Sequence, residues 1–217
     1  MTHLDLAFTL TTQQPILVDH GYALYGAVSR ILPELHRENG FGIHPIRGRQ
    51  IGDRQMILMP WSTLTVRVPD GEIAPLLPLA GKSLRLGDAT LRVGVPEVQA
   101  LVPVPVLISR LVVVKVAHVT PAHTLSEEQF LVAIRKQLDT LGISSAATPQ
   151  IPLNKDGLPR RRTLRIKHRE IVGYELVVDG LSAEESITLQ THGLGGRRHM
   201  GCGVFVAYPP KGGSHAS

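Results

Sequence analysis

Apolar and polar positions near the start of the chain predict a strand followed by a helix. Residues 4–10 alternate enough to form a strand. Asp19 is a suitable helix N-cap, and the apolar positions after it recur at helical spacing: Leu24, Ala27 or Val28, Ile31 and Leu35. Pro33 falls inside this pattern, so we expect the helix to kink or restart there.

Further strand patterns and one short helix complete the first half of the chain. Apolar alternation predicts strands at 43–47, 55–59, 63–68, 83–86 and 90–95. An apolar segment at 73–79 predicts a short helix before Gly81. With one extra strand allowed, the predicted order is βαββαβ.

The second half repeats this order. Residues 111–117 form an apolar run typical of a central strand, and Ser126 with Gln129 forms a capping box for a helix that ends at Gly142. A long loop at 144–159 precedes predicted strands at 163–169 and 171–178. Ser182 with Glu185 caps a second helix, and a last strand is predicted at 204–208.

The repeated order predicts an α+β fold of two tandem ferredoxin-like (βαββαβ) domains with a C-terminal glycine-rich loop. The predicted boundaries are 1–100 for the first domain and 101–208 for the second. The polar, Pro/Gly-rich segment 209–217 is expected to be a disordered tail.

Composition indicates a globular protein with an anionic partner. The 217 residues are 43% hydrophobic, which is enough to bury a core. The formal charge of +5 favours nucleic acid as a partner. The single cysteine, Cys202, fits a reducing compartment, and no apolar run has the length of a membrane span. We therefore expect a cytoplasmic protein that does not enter the membrane.

Residues 193–203 are the most informative segment of the chain. Their eleven positions hold five glycines (Gly193, Gly195, Gly196, Gly201 and Gly203) together with Arg197, Arg198 and His199. Glycine-rich backbone offers N–H donors to an anion, so the segment predicts a phosphate-binding loop. A flexible surface turn with solvated charges is the alternative interpretation.

Nucleotide-cofactor motifs do not fit this loop. A Walker A loop requires a lysine after its last glycine, where this chain has Cys202. A dinucleotide fingerprint requires a third glycine where the chain has Arg198, and it opens a helix, whereas a strand is predicted here. We therefore expect no nucleotide cofactor.

A strongly basic strand is predicted directly after the long loop. It contains Arg160, Arg161, Arg162, Arg165, Lys167 and Arg169. Period-two geometry would place Arg165, Lys167 and Arg169 on one face, and few acids lie nearby in the sequence. Such a row would bind a polyphosphate backbone, unless it is a solvated face neutralised by acidic neighbours.

Ten histidines raise the question of metal binding or acid–base chemistry. No His-x3-His pair or zinc-finger spacing occurs, so we expect no metal site. His20, His36 and His44 cluster around the first helix and the strand after it. Each of them could also be a structural histidine.

Together, the repeated order, the helix followed by Leu35-His36 and the glycine motif resemble a known family. The chain is similar to the CRISPR precursor-RNA processing endoribonucleases of the repeat-associated mysterious protein superfamily. The likeness extends over nearly the whole chain apart from the tail. Residues 19–25 and 42–48 look most like the Myxan-type type I branch.

The resemblance implies metal-independent cleavage within the CRISPR repeat, by attack of an RNA 2′-OH on the adjacent phosphate. Catalytic histidines of the family match His36 best and His20 second, with His44 as a partner acid. Tyr25 and Ser29 are within range on the same helix, and the cationic role would fall to an arginine such as Arg47. The loop residues would contact the RNA, and the strand beginning at Arg160 would follow its phosphates.

Two other functions remain open from the sequence. The chain could be a catalytically inactive, RNA-holding subunit of a type I effector complex, which would use the same fold and loop. It could also be a basic ferredoxin-like scaffold for a protein partner. The expected partners are CRISPR repeat RNA, as precursor and mature guide, and other subunits of such a complex.

Overall fold

The computed structural model describes residues 2–36, 40–114 and 125–208. The chain divides into two compact units. The first comprises Met1–Leu101, Thr163–Val172 and Arg197–Cys202, and the second comprises Val102–Arg162, Gly173–Gly196 and Gly203–Ser217. Two short segments from the second half of the chain therefore fold with the first unit. The predicted tail at 209–217 lies outside the described residues.

Nine strands and one α-helix come from the first half of the chain. They are β1 (His3–Thr11), β2 (Ile16–Leu17), α1 (Gly21–Ile31), β3 (Gly42–Ile43), β4 (Arg49–Gly52), β5 (Gln55–Ile57), β6 (Thr63–Pro69), β7 (Ser83–Leu86), β8 (Ala89–Ala100) and β9 (Leu107–Val112). Short 3-10 helices occupy Pro33–His36, Asp70–Glu72 and Ala74–Leu79. Of these strands, β9 belongs to the second unit.

The main sheet of the first unit has the strand order of a ferredoxin-like fold. Its order is β3-β6-β1-β8-β7, and its neighbours pair antiparallel. Strands β1, β3, β6 and β8 correspond to the first, second, third and fourth strands of βαββαβ. Across the sheet they lie in the order second, third, first, fourth. Strand β7 extends the sheet, and β2, β5 and β4 form a small separate sheet.

The second half of the chain repeats this arrangement. It contributes α2 (Glu127–Thr140), β10 (Thr148–Gln150), β11 (Arg161–Ile166), β12 (Arg169–Asp179), α3 (Ala183–His192) and β13 (Val206–Ala207). A short 3-10 helix occupies Arg198–Met200. The sheet order β10-β12-β9-β13 is again second, third, first, fourth, with β11 paired to β12. The predicted α+β fold of two ferredoxin-like repeats is confirmed.

Each unit has its own apolar core, as the binary patterns require. In the first, β1 contributes Leu6 and Phe8, which pack with Leu24 and Val28 of α1. In the second, Phe130 and Ile134 of α2 pack with Leu176 of β12. Both predicted capping boxes, Ser126 with Gln129 and Ser182 with Glu185, are present at the starts of α2 and α3.

Several predicted elements differ in the structure for local reasons. The helix predicted at 73–79 is a 3-10 helix that contains Pro78, because proline cannot supply the N–H that an α-helix needs. Pro33 restarts the first helix as a 3-10 turn, as predicted. The N-cap of α1 is His20 rather than Asp19, whose Oδ2 accepts a hydrogen bond from the Arg165 backbone N–H at 2.8 Å.

Several predicted strands have different limits in the structure. The strand predicted at 43–47 is the two-residue β3 (Gly42–Ile43), and the last strand covers Val206–Ala207 only. The strand predicted at 111–117 is β9, which ends at Val112, and residues 115–117 lie outside the described part.

Candidate functional site

A buried ion pair connects two neighbouring strands of the main sheet in the first unit. Asp5 on β1 and Arg67 on β6 are register partners. Arg67 Nε donates to Asp5 Oδ1 and Arg67 Nη2 donates to Asp5 Oδ2, both at 2.8 Å. The Arg67 side chain is only 1% exposed. A bidentate pair of this kind fixes the orientation of both side chains.

His44 joins this pair from the end of β3. Its backbone N–H donates to the Thr65 carbonyl at 2.9 Å, and its Nε2 lies 3.2 Å from Asp5 Oδ1. Burial lowers the pKa of His44, and Asp5 offsets only part of that effect. Burial alone would raise the pKa of Asp5, but its contacts with His44 and Arg67 outweigh burial and hold that pKa far below its usual value. The His44 ring is therefore neutral at neutral pH, with Asp5 ionised beside it.

Both ring nitrogens of His20 are engaged by the backbone. Nδ1 lies 2.9 Å from the Leu17 carbonyl oxygen, and Nε2 accepts the Ile46 N–H at 3.0 Å. These two contacts require a proton on Nδ1 and none on Nε2, so the neutral ring fits them. The residue is 4% exposed. This geometry favours a structural role that ties the start of α1 to the segment after β3.

The other two residues predicted for catalysis flank His44 in the sequence. His36 is the last residue of the 3-10 helix Pro33–His36, and its side chain lies outside the described part of the structure. Arg47 is exposed, and its positive charge acts on His44. Arg47 is thus available to a ligand beside the Asp5–His44–Arg67 cluster.

The loop segment Arg197–Cys202 packs within the first unit against α1 and the residues after β3. A Cβ on Gly21 would collide with the Met200 carbonyl oxygen, so the start of α1 admits the segment only because residue 21 is glycine. The ring of His199 lies 4.5 Å from that of Tyr25 between centroids. The segment is therefore held in one position beside His44.

The glycine amides of the loop are occupied by the protein itself. Each of the five donates a hydrogen bond within the chain: Gly193 to Leu189 O, Gly195 to Gln137 Oε1, Gly196 to Val113 O, Gly201 to Arg198 O and Gly203 to Leu111 O. The prediction that these N–H groups are open to an anion is therefore wrong. The glycine amides therefore do not form the anion site, and the RNA contacts predicted for the loop stay a prediction.

Arg198 is the side chain of this segment best placed to bind an anion. It is partly buried, and its Nε and Nη2 atoms are shielded from water with no hydrogen-bond partner among the described residues. Burial, and secondarily the charge of Arg67, lowers the pKa of Arg198 to about 10. A guanidinium remains charged at neutral pH even with that pKa.

The predicted basic strand is partly neutralised. Glu175 of β12 accepts from Arg160 Nη1 at 2.8 Å and from Arg162 Nη2 at 2.7 Å. The expectation of few acidic neighbours is therefore wrong, because the carboxylate comes from the next strand. The prediction that Arg165, Lys167 and Arg169 share one face of a single strand is also wrong. Strand β11 ends at Ile166, and Lys167, with a φ of 53°, lies in the turn before β12.

The second unit contains a cavity of about 460 Å³ beside these arginines. Arg160, Arg161 and Arg162 line it together with Tyr174 and other residues. Arg161 is exposed, and the pKa of Tyr174 is raised by burial, with the Arg161 charge opposing that shift. The lining is basic and carries one aromatic ring, a combination suited to a nucleotide.

Two classes of site are not found in the described part of the chain. No group of three or more His, Cys, Asp or Glu side chains among these residues is placed to hold a metal ion. Among the helices in the described ranges, none combines the length and hydrophobicity needed to cross a membrane.

Sequence reasoning missed Asp5, Arg67 and Glu175. Arg67 alternates with apolar residues in β6, which predicts an exposed position, but the structure buries it. The available signal was a pair of opposite charges on two strands predicted to be neighbours. The partner of Arg160 and Arg162 could have been sought in the same way on the following strand.

Comparisons with known proteins agree with the fold. A family model described as Cas6 Crispr matches residues 4–209. The chain is 37% identical over 210 residues to the CRISPR-associated endonuclease Cas6 of Myxococcus xanthus (strain DK1622), across 97% of this chain and 83% of that protein.

Two solved structures show the same fold at low identity. A Cas6-related protein from Pyrococcus furiosus has a TM-score of 0.64 and 17% identity, over 96% of this chain and 100% of that one. A RAMP protein described as binding different RNA substrates has a TM-score of 0.61 and 14% identity, over 94% of this chain and 98% of that one.

Proposed function

The chain belongs to the Cas6 family, and from this membership we propose that it is an endoribonuclease that cleaves CRISPR repeat RNA without a metal ion. The likeness to the Myxococcus xanthus endonuclease over nearly the whole chain carries the proposal. The histidine and arginine side chains gathered beside α1 and β3 support it, since they are the groups that metal-independent RNA cleavage requires.

The proposed reaction is an internal phosphoryl transfer. A base takes the proton of the 2′-OH, and the 2′-oxygen attacks the adjacent phosphorus. The P–O5′ bond then breaks, and the leaving 5′-oxygen takes one proton from the protonated base or from water, which restores the proton balance. The products are a 2′,3′-cyclic phosphate and a 5′-OH. Negative charge accumulates on the phosphorane oxygens, where a nearby cation lowers the barrier.

We assign the base role to His36 and a second proton-transfer role to His44. Asp5 orients His44 through the contact with Nε2, as a carboxylate orients a histidine in other acid–base sites. The lowered pKa of His44 leaves its ring neutral at neutral pH, which disfavours the partner-acid role expected from the resemblance and makes His44 a second proton acceptor. The role of His20 is positioning, since both of its nitrogens are held by backbone groups.

RNA binding is assigned to exposed arginines rather than to backbone amides. Arg47 and Arg161 are exposed, and Arg165 is 65% exposed with only a long contact of 3.3 Å to Glu170. Each of these side chains can contact a phosphate of the RNA. Arg160 and Arg162 contribute less, because both are paired with Glu175.

The test is cleavage of the cognate repeat RNA in EDTA by the wild type and by His36→Ala, His44→Ala and His20→Ala. We expect His36→Ala to slow single-turnover cleavage by about 100-fold or more, as loss of a general base does. Cleavage by His36→Ala at the wild-type rate would overturn the His36 assignment. Tight repeat binding by the wild type without any cleavage would identify an RNA-holding subunit instead.

A further inference from the structure

The Nε and Nη2 donor atoms are hydrogen-bonded in Arg67 but have no described partner in Arg198. In Arg67, Nε and Nη2 form a side-on fork that is filled by both oxygens of Asp5. In Arg198, the same two atoms are buried and have no hydrogen-bond partner in the described ranges. A shielded guanidinium fork without an acceptor is unfavourable unless a ligand completes it.

The fold holds Arg198 in this position. Arg197 before it has a left-handed φ of 66°, and Gly201 after it has a φ of 83°. Between them, the Met200 carbonyl lies against Gly21 and the His199 ring lies against Tyr25. Neighbours on both sides therefore fix the backbone from which the Arg198 side chain extends.

The missing acceptor is an anion with two oxygens in a fork. Carboxylates and phosphates both fit the side-on edge of a guanidinium, and phosphates are the anions of the proposed substrate. The 3-10 helix that begins at Arg198 contacts β3, and a Cβ on Gly201 would lie 3.1 Å from Cγ of Pro45, the residue after His44. A phosphate on Arg198 would therefore lie near a candidate proton-transfer group.

We propose that the side-on fork of Arg198 binds the two non-bridging oxygens of the phosphate at the cleavage position and stabilises its charge in the transition state. This inference rests on the proposed function and deepens it. It assigns the cationic role to Arg198, with Arg67 and Asp5 as positioning residues, and leaves Arg47 as an RNA contact.

The experiment compares single-turnover cleavage at saturating enzyme for the wild type, Arg198→Ala, Arg198→Lys and a control, Arg92→Ala. Arg92 is exposed on β8, and its replacement removes the same unit charge. Binding is measured separately, with a repeat RNA that carries a 2′-deoxy nucleotide at the cut. Thermal unfolding of each variant establishes that it is folded.

We expect Arg198→Ala to lower the saturated cleavage rate about 100-fold, in line with the loss of one transition-state donor group. Arg198→Lys keeps the charge without the fork and should recover less than about tenfold of that loss. Arg92→Ala should stay within about twofold of the wild type. An RNA in which sulfur replaces one non-bridging oxygen of the phosphate at the cut should be cleaved more slowly by the wild type. This replacement should not slow Arg198→Ala further.

Two results would overturn the assignment: a saturated rate for Arg198→Ala equal to that of Arg92→Ala, or full activity of Arg198→Lys. If Arg198→Ala weakens binding alone and leaves the saturated rate unchanged, the catalytic role is likewise lost. Absence of cleavage by the wild type would contradict the proposed function itself. The affinities of Arg198→Ala and Arg92→Ala for the 2′-deoxy repeat RNA would then test whether Arg198 contacts a phosphate.

Discussion

At the scale of single residues, the guanidinium groups of Arg67 and Arg198 should respond to replacement in opposite ways. Arg67→Met leaves Asp5 without its partner and should lower the free energy of unfolding by about 3–5 kcal/mol. Arg198→Met removes a desolvated charge without a described acceptor and should raise it by about 1–3 kcal/mol. Urea unfolding of both variants measures the difference. Equal destabilisation by the two replacements would show that Arg198 is satisfied within the free protein.

His20 should prove to be a stability residue. His20→Ala leaves the Ile46 N–H without its buried acceptor and should lower the free energy of unfolding by about 1–3 kcal/mol. The variant that remains folded should keep its saturated cleavage rate within about tenfold of the wild type. A catalytic role would show the reverse pattern, with cleavage lost and unfolding unchanged.

His44 should make stability depend on pH in a defined window. The folded-state pKa lies below the ordinary value of 6.5, so the unfolded chain takes up a proton first as pH falls. Stability should therefore decrease from about pH 7 downward until the folded-state pKa is passed. Asp5 acts in a lower window, since its stabilisation is lost only as pH falls below the ordinary value of 3.8.

The measurement is urea unfolding of the wild type and His44→Gln between pH 7 and pH 5. The variant should show a shallower decline over this range, because it lacks the group that protonates in the unfolded state. A decline as steep as that of the wild type would assign the effect to another group. Parallel data on His168→Gln, a change at an exposed histidine, provide the control.

At the scale of elements, the start of α1 and the segment Arg197–Cys202 depend on each other through Gly21. Gly21→Ala would force the Met200 carbonyl away and should slow cleavage at least tenfold by moving Arg198 and His199. Gly26→Ala in the same helix is the matched control, since its Cβ would meet nothing within 4 Å. That variant should be more stable by about 0.5–1 kcal/mol through helix propensity alone.

Cleavage and thermal unfolding of the two glycine variants settle the comparison. Equal activity of Gly21→Ala and Gly26→Ala would contradict the claim that the loop position controls the chemistry. A crystal structure of Gly21→Ala with an unmoved loop would contradict the steric argument itself.

Elements with strong local signals could be predicted from the sequence, and those set by distant contacts could not. The capping boxes of α2 and α3 and the repeated βαββαβ order depend on patterns within a few residues. The burial of Arg67 depends on Asp5, which lies on another strand, and the occupation of the loop amides depends on acceptors such as Gln137. The glycines correctly predicted a tight loop. In that loop, however, their N–H groups donate to acceptors within the chain rather than to a ligand.

At the scale of the whole molecule, the positive charge should make RNA binding depend on salt, but less than the 23 lysines and arginines suggest. Several arginines are paired with carboxylates and release few counterions. We expect about 3–6 phosphate contacts, which gives a slope of log affinity against log salt of about −2 to −4 for single-stranded RNA. Titrations of 2′-deoxy repeat RNA at several salt concentrations measure this slope. A slope near zero would contradict binding through the RNA backbone.

We propose that this chain cuts repeat RNA by attack of the RNA's own 2′-OH, using protein side chains alone. The most direct measurement is incubation of the wild type with its repeat RNA in EDTA, with and without a 2′-deoxy nucleotide on the 5′ side of the cut. We expect one cut with a 2′,3′-cyclic phosphate and a 5′-OH, abolished by the single 2′-deoxy substitution. Cleavage that survives this substitution, or that requires a divalent ion, would contradict it.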